Sequence, residues 1–232
     1  MRKISFENNC YYHIFNRGAN KADVFFDDSD RFRFLWILDV FNDKNSNFIS
    51  VRERETNFRS EAPKKEKFVD ILCFVLMPNH FHLLLQQLVD NGISKFMHKV
   101  GTSYTNYINL KYEHSGILFQ GPFKAVEVDS DEQLLHLSRY IHFNPVELIQ
   151  PGWKEEGIKN LKTVRSFLNS YRWSSYSRYT GKEGLEFGKI IEANNLIDDL
   201  IPRKKYREFL EDWFNKVNFD KDISIQGAKL LE

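Results

Sequence analysis

Two histidines one residue apart, His80 and His82, stand between apolar runs at 68–76 and 83–85. If Pro78-Asn79 makes a tight turn, the flanking runs pair as antiparallel strands. Alternate side chains of a strand share a face, so both imidazoles project one way and Phe81 the other, into the core. Two neutral ring nitrogens at a fixed separation can chelate a divalent metal. The same pair can equally be two hydrogen-bonded or solvent-facing histidines, and in a chain with seven histidines the spacing alone does not decide. A second constellation lies downstream. Tyr140 and Asn144, four apart, share one face of a helix that stops near Pro145, so their side chains can converge on one point. Asn144 can also be a helix C-cap and nothing more. His136 lies on the same face, one turn before Tyr140, and reads first as a core residue, with ligand or base as rivals. His142 points away from Tyr140. His13 sits in the first strand with no partner that the sequence names.

These residues need elements to position them. Residues 10–16 are rich in strand formers and end at Arg17-Gly18-Ala19-Asn20, a turn signal. Asp27-Asp28-Ser29-Asp30 supplies helix-capping groups, and Phe34, Leu35, Leu38 and Phe41 follow at helical spacing. Residues 42–67 are polar around Pro63 and read as a solvated insert. The two central apolar runs come next. Asp90-Asn91-Gly92 then precedes a helix over about 93–112 with Ile93, Phe96, Met97, Val100 and Tyr104 on one side. Residues 125–128 form a fourth strand, and Asp129-Ser130-Asp131-Glu132 caps a helix over about 132–143. Strand, helix, strand, strand, helix, strand is the split βαβ order: an α+β, ferredoxin-like fold with a four-stranded antiparallel sheet, two helices on one face and the other face left for a site. The domain is expected over 1–180, and 181–232 as a helical extension in which Tyr206, Phe209, Leu210, Trp213 and Phe214 fall at helical spacing.

The 232 residues are 42% hydrophobic and 15% aromatic, enough for the core of one sizeable domain. A formal net charge of +1 excludes an argument for a polyanionic partner from global charge, so any such partner must be met by local patches. Arg17, Lys95, Lys99, Lys124 and Arg139 are candidate phosphate contacts, with a solvated charged face as the alternative. Arg172 joins them from the run at 171–179, which mixes Tyr and Trp with Arg and Ser and can stack bases or cover the core. The two cysteines, Cys10 and Cys73, each lie in an apolar stretch and suit buried thiols in a reducing compartment. No signal core and no membrane-length apolar run is present, so a cytoplasmic protein is expected. The Rossmann, Walker, CxxC and GxSxG patterns are absent.

Taken together, Pro78-Asn79-His80-Phe81-His82, Gly116-Ile117-Leu118-Phe119-Gln120, Tyr140-Ile141-His142-Phe143-Asn144-Pro145-Val146 and Trp173-Ser174-Ser175-Tyr176 resemble the REP-associated tyrosine transposases, single-tyrosine members of the HUH superfamily. The likeness runs from about residue 11 to 179; it departs after Gln120, where Gly121-Pro122-Phe123-Lys124 replaces an early basic residue. The resemblance implies a metal-dependent endonuclease and strand transferase acting on single-stranded DNA beside hairpins. Tyr140 would be the nucleophile forming a 5′-phosphotyrosine, and His80, His82 and Asn144 the ligands of Mg or Mn. It implies single-stranded, hairpin-containing DNA as partner, and a monomer or homodimer. Two other classes fit the same residues: a catalytically silent hairpin-binding protein, and a metal-dependent phosphodiesterase acting on RNA or nucleotides without a tyrosyl intermediate.

Overall fold

The computed structural model describes residues 4–46, 65–181, 190–191 and 196–212. The apolar strand formers of the first segment give β1 (Tyr11–Arg17), and Asp27, whose side chain accepts from the Asp30 backbone N–H, caps α1 (Asp28–Phe41). Then come β2 (Val69–Met77), β3 (His80–Gln87), α2 (Gly92–Lys111), β4 (Lys124–Val128) and α3 (Asp131–Phe143). A 3₁₀ turn (Asn144–Leu148) follows, and then α4 (Trp153–Glu156), α5 (Leu161–Ser170), α6 (Tyr176–Tyr179), α7 (Leu196–Leu200) and α8 (Arg203–Glu211). The strands form one antiparallel sheet in the order β2-β3-β1-β4, which is the ferredoxin-like topology expected from the element order. No helix among the described residues is long and apolar enough to cross a membrane.

The sheet carries different chemistry on its two faces. Phe81 packs against Phe34 of α1, and Phe34 against Tyr104 of α2, with ring centroids 5.0 Å apart in both pairs. On the opposite face α3 lies over β2 and β3, so the face left open in the sequence reading is covered by the helix that carries Tyr140. The exposed edge of β2 is closed as well. Leu76 N–H donates to Trp173 O, Ser175 N–H donates to Phe74 O, and the bulge at Leu72 leaves a carbonyl that accepts from Tyr179 Oη at 2.6 Å. The 171–179 run is therefore a cover of the core and of a strand edge, with Trp173, Tyr176 and Tyr179 buried. Cys73 is buried, Cys10 is half-buried, and both are free thiols.

The helix of Tyr140 ends at Phe143, near Pro145 as expected. Proline disfavours α conformation in the residue before it, yet Asn144 keeps φ −49° and ψ −39° and the chain tightens into the 3₁₀ turn instead of leaving the helix. The C-terminal helix is described only as far as Glu211, so Trp213 and Phe214 lie outside the described residues. Most of the 42–67 insert lies outside them too, but its ends meet: Asn42 Oδ1 accepts from the N–H groups of Phe68 and Val69, and Lys44 N–H donates to Glu66 O.

Two glycines test the packing with opposite signs. A Cβ on Gly18, at the end of β1, would fall 2.0 Å from Ala22 O and 2.9 Å from a Val24 methyl, whereas one on Gly101 in α2 meets nothing within 4 Å. Gly18→Ala is expected to cost about 1–3 kcal/mol through forced displacement, and Gly101→Ala to stabilise by roughly 0.5–1 kcal/mol. Urea unfolding midpoints shifting in the same direction for both would contradict this packing.

Candidate active site

The Pro78-Asn79 turn is held from three sides. Val24 and Phe25 donate their N–H groups to Pro78 O, and Gly18 donates to Asn79 O at 2.8 Å. This fixes the start of β3, where Met77 pairs with His80 and Val75 with His82, while on the other side Arg17 pairs with His80 and Phe15 with His82. Period-2 alternation then sends His80 and His82 to the face under α3, with ring centroids 5.1 Å apart and planes perpendicular.

From the helix side, Ser130 accepts from Gln133 N–H and starts α3, whose last turn delivers Tyr140 and Asn144. Tyr140 is 4% exposed and stands edge-on to His82 with centroids 5.3 Å apart. Asn144 Oδ1 lies 3.1 Å from His80 Nε2. Tyrosine, asparagine and both histidines thus converge within one chain, a point on which the sequence was silent.

Hydrogen bonding restricts what this cluster can hold. Asn79 donates its Nδ2 to Lys21 O, which turns its Oδ1 to His80 Nδ1 at 2.6 Å, and an amide oxygen only accepts. His80 therefore carries its proton on Nδ1, and its Nε2 lone pair faces the Asn144 oxygen, acceptor against acceptor. Both atoms of that contact are electron-pair donors, so together they suit a positive charge or a turned Asn144 amide. His82 Nε2 is buried and finds no hydrogen-bond partner among the described residues. Two imidazole nitrogens and an amide oxygen fit a hard or borderline divalent cation. No group of three or more His, Cys, Asp or Glu among the described residues is placed to hold a metal, so a set built on these two histidines would draw on Asn144.

Burial keeps these rings neutral. His80 is pushed down to about 4, chiefly by desolvation, with the Arg17 and Lys154 charges adding and the Asn144 contact opposing. His82 is held well below the ordinary range by burial and by the neighbouring His13, His80, Lys154 and Arg17.

The remaining candidates divide. Arg17 is at the site, at the end of β1 opposite His80. Lys99 donates to Ser46 O at 2.7 Å and covers the Phe68 ring, and Lys95 donates to Asp90 O. Arg139 donates to Phe209 O and lies over the Phe209 ring, and Arg172 lies over Phe32 and Trp173. Lys124 begins β4 opposite Phe15. His136 is half-buried, with its Nε2 3.9 Å from Glu132 Oε1. His142 does point away, to Tyr206 Oη and Ser175 Oγ. Two residues were missed. Lys154 Nζ sits 5.1 Å from the centroid of the Tyr140 ring, and His13 Nε2 lies 2.8 Å from His82 Nδ1. A polar residue inside an apolar strand was the available signal for His13; nothing in the sequence marked Lys154.

The class these features define is an α+β protein of ferredoxin-like topology whose sheet offers two imidazoles to a tyrosine and an asparagine on a covering helix. Residues 50–144 match the family model described as transposase IS200 like. No curated protein matches the chain in sequence. Among solved structures, one described as a REP-associated tyrosine transposase bound to a REP hairpin aligns with TM-score 0.49 and 14% identity, over 84% of this chain and 92% of that one.

Buried neutral histidines make stability depend on pH. Between the ordinary imidazole range near roughly 6.5 and about 3, where His13 and His142 are held, the unfolded chain binds protons that the folded chain does not. Stability therefore falls as pH is lowered through that window. In chelator, the unfolding free energy is expected to drop steadily from pH 7 to 5, and His142→Phe to remove part of the slope, by about 1.4 kcal/mol per pH unit at most. An unchanged slope in that variant would show that His142 is protonated in the folded protein.

Proposed function

We propose that this chain is a metal-dependent single-stranded DNA endonuclease and strand transferase, a transposase that acts beside hairpins through a 5′-phosphotyrosine. The observation that carries the reading is the meeting of Tyr140 and Asn144 with His82 and His80, at 5.3 Å between the ring centroids of Tyr140 and His82 and 3.1 Å between Asn144 and His80. The IS200-like match over residues 50–144 supports it. The reading places the transposase domain at 1–180 and a helical extension at 181–232.

His80, His82 and Asn144 would hold Mg or Mn, which supplies positive charge to a scissile phosphate as a Lewis acid. Tyr140 then serves as nucleophile: its oxygen bonds to phosphorus, the bond from phosphorus to the 3′ oxygen breaks, the phenol loses its proton and the 3′ oxygen gains one. The phosphotyrosine retains the energy of the phosphodiester, so a 3′-hydroxyl can reverse the step without ATP. Lys154 over the Tyr140 ring favours the developing phenolate, since a nearby cation favours an anion. Arg17, on the other side of His80, is placed to meet the phosphate backbone.

Labelled single-stranded hairpin DNA incubated with the protein is expected to give a protein-linked band on a denaturing gel in Mn but not in chelator. Tyr140→Phe should abolish the band while retaining DNA binding, and His80→Ala should abolish it as well. Lys154→Ala is expected to slow adduct formation about tenfold, equivalent to roughly 1.4 kcal/mol, with recovery in Lys154→Arg. Binding without an adduct in the wild type would identify a silent hairpin-binding protein, and free product without an adduct a phosphodiesterase.

A further inference from the structure

The neighbour of His82 comes from β1, 69 residues earlier in the chain. His13 Nε2 stands 2.8 Å from His82 Nδ1, with the rings stacked at 5.0 Å and 19°. The two residues are 1% and 0% exposed. The pairing register sets His13 opposite Leu84 and His82 opposite Phe15, so the two imidazoles are diagonal neighbours on one sheet face. Phe15 and Tyr140 complete the enclosure, with centroids 4.8 and 6.3 Å from His13. The far nitrogens, His13 Nδ1 and His82 Nε2, find no hydrogen-bond partner among the described residues.

A contact between two neutral imidazoles holds one proton, and each ring has one to give. In one arrangement His13 donates from Nε2 to His82 Nδ1, which leaves a proton on His82 Nε2 and closes that atom to a cation. In the other, His82 donates from Nδ1 to His13 Nε2, and the His82 Nε2 lone pair faces the site. We infer that His13 is a positioning residue, which accepts the Nδ1 proton of His82 and so orients that ring with its Nε2 lone pair toward a divalent cation. Asn79 Oδ1 stands in the same relation to His80, so each imidazole of the pair is fixed through its Nδ1. Ligating histidines are commonly held this way, through the nitrogen that does not bind the metal. The inference rests on the metal-site reading given above.

The test uses the full chain and two substitutions. His13→Gln places an amide oxygen near the position of Nε2 and keeps the acceptor; His13→Leu removes it. Mn binding is measured by electron paramagnetic resonance of the free ion, and the His82 tautomer by long-range proton–nitrogen NMR in excess Mg. His82 is expected to carry its proton on Nδ1 in the wild type and in His13→Gln, with Mn affinities close together. His13→Leu is expected to weaken Mn binding about 10–100-fold. Wild-type affinity in His13→Leu, or His82 protonated on Nε2 in the wild type, would overturn the inference while leaving the metal site standing. No Mn binding in the wild type would overturn the metal reading itself, and this inference with it. Should His13→Leu fail to fold, the wild-type tautomer decides.

Discussion

The central ladder between β1 and β3 forces imidazoles into a place where charge is not tolerated. Moving an ion into a protein interior costs several kcal/mol unless it is paired, and around His13 and His82 the neighbours are Phe15, Tyr140 and another imidazole. Both rings therefore stay neutral, and a neutral ring keeps a lone pair. At His82, and at His80 beside it, Arg17 and Lys154 push the same way, because a second positive charge near them is repelled. The same burial that makes the site costly to fold makes its nitrogens available as ligands.

Placing Tyr140 above those nitrogens depends on what holds α3 from its other side. Tyr206 of α8 donates to Ser138, lies 2.9 Å from His142 Nδ1, and His142 reaches Ser175, whose backbone N–H pairs with β2. Arg139 spans to Phe209. The helix is thus clamped between the sheet and the C-terminal segment, and α8 acts as its brace. A tertiary brace suits a helix of this length, for short helices draw most of their stability from packing.

The parts that were readable in sequence are those set by local pattern. The strand alternation around Pro78-Asn79, the caps at Asp27 and Ser130, and the four-residue spacing of Tyr140 and Asn144 each depend on neighbours in the chain. What was not readable depends on register between distant segments. His13 meets His82 only because β1 pairs with β3 in one alignment, and Lys154 reaches Tyr140 only through the turns after Pro145. Arg139, Arg172 and Lys99 look like a basic surface from periodicity alone. In three dimensions Phe209, Phe32, Trp173 and Ser46 occupy them, so charge that seemed directed outward helps to hold the fold.

Asn42 closes the base of the 42–67 excursion by gripping the start of β2 from the end of α1. One amide ties residues 26 and 27 positions apart, so the last turn of α1 and the first residues of β2 form a single corner. A buried side chain that satisfies two N–H groups and a carbonyl at once cannot give way to an apolar one without stranding all three, and β2 carries that corner to the strand that holds His80 and His82.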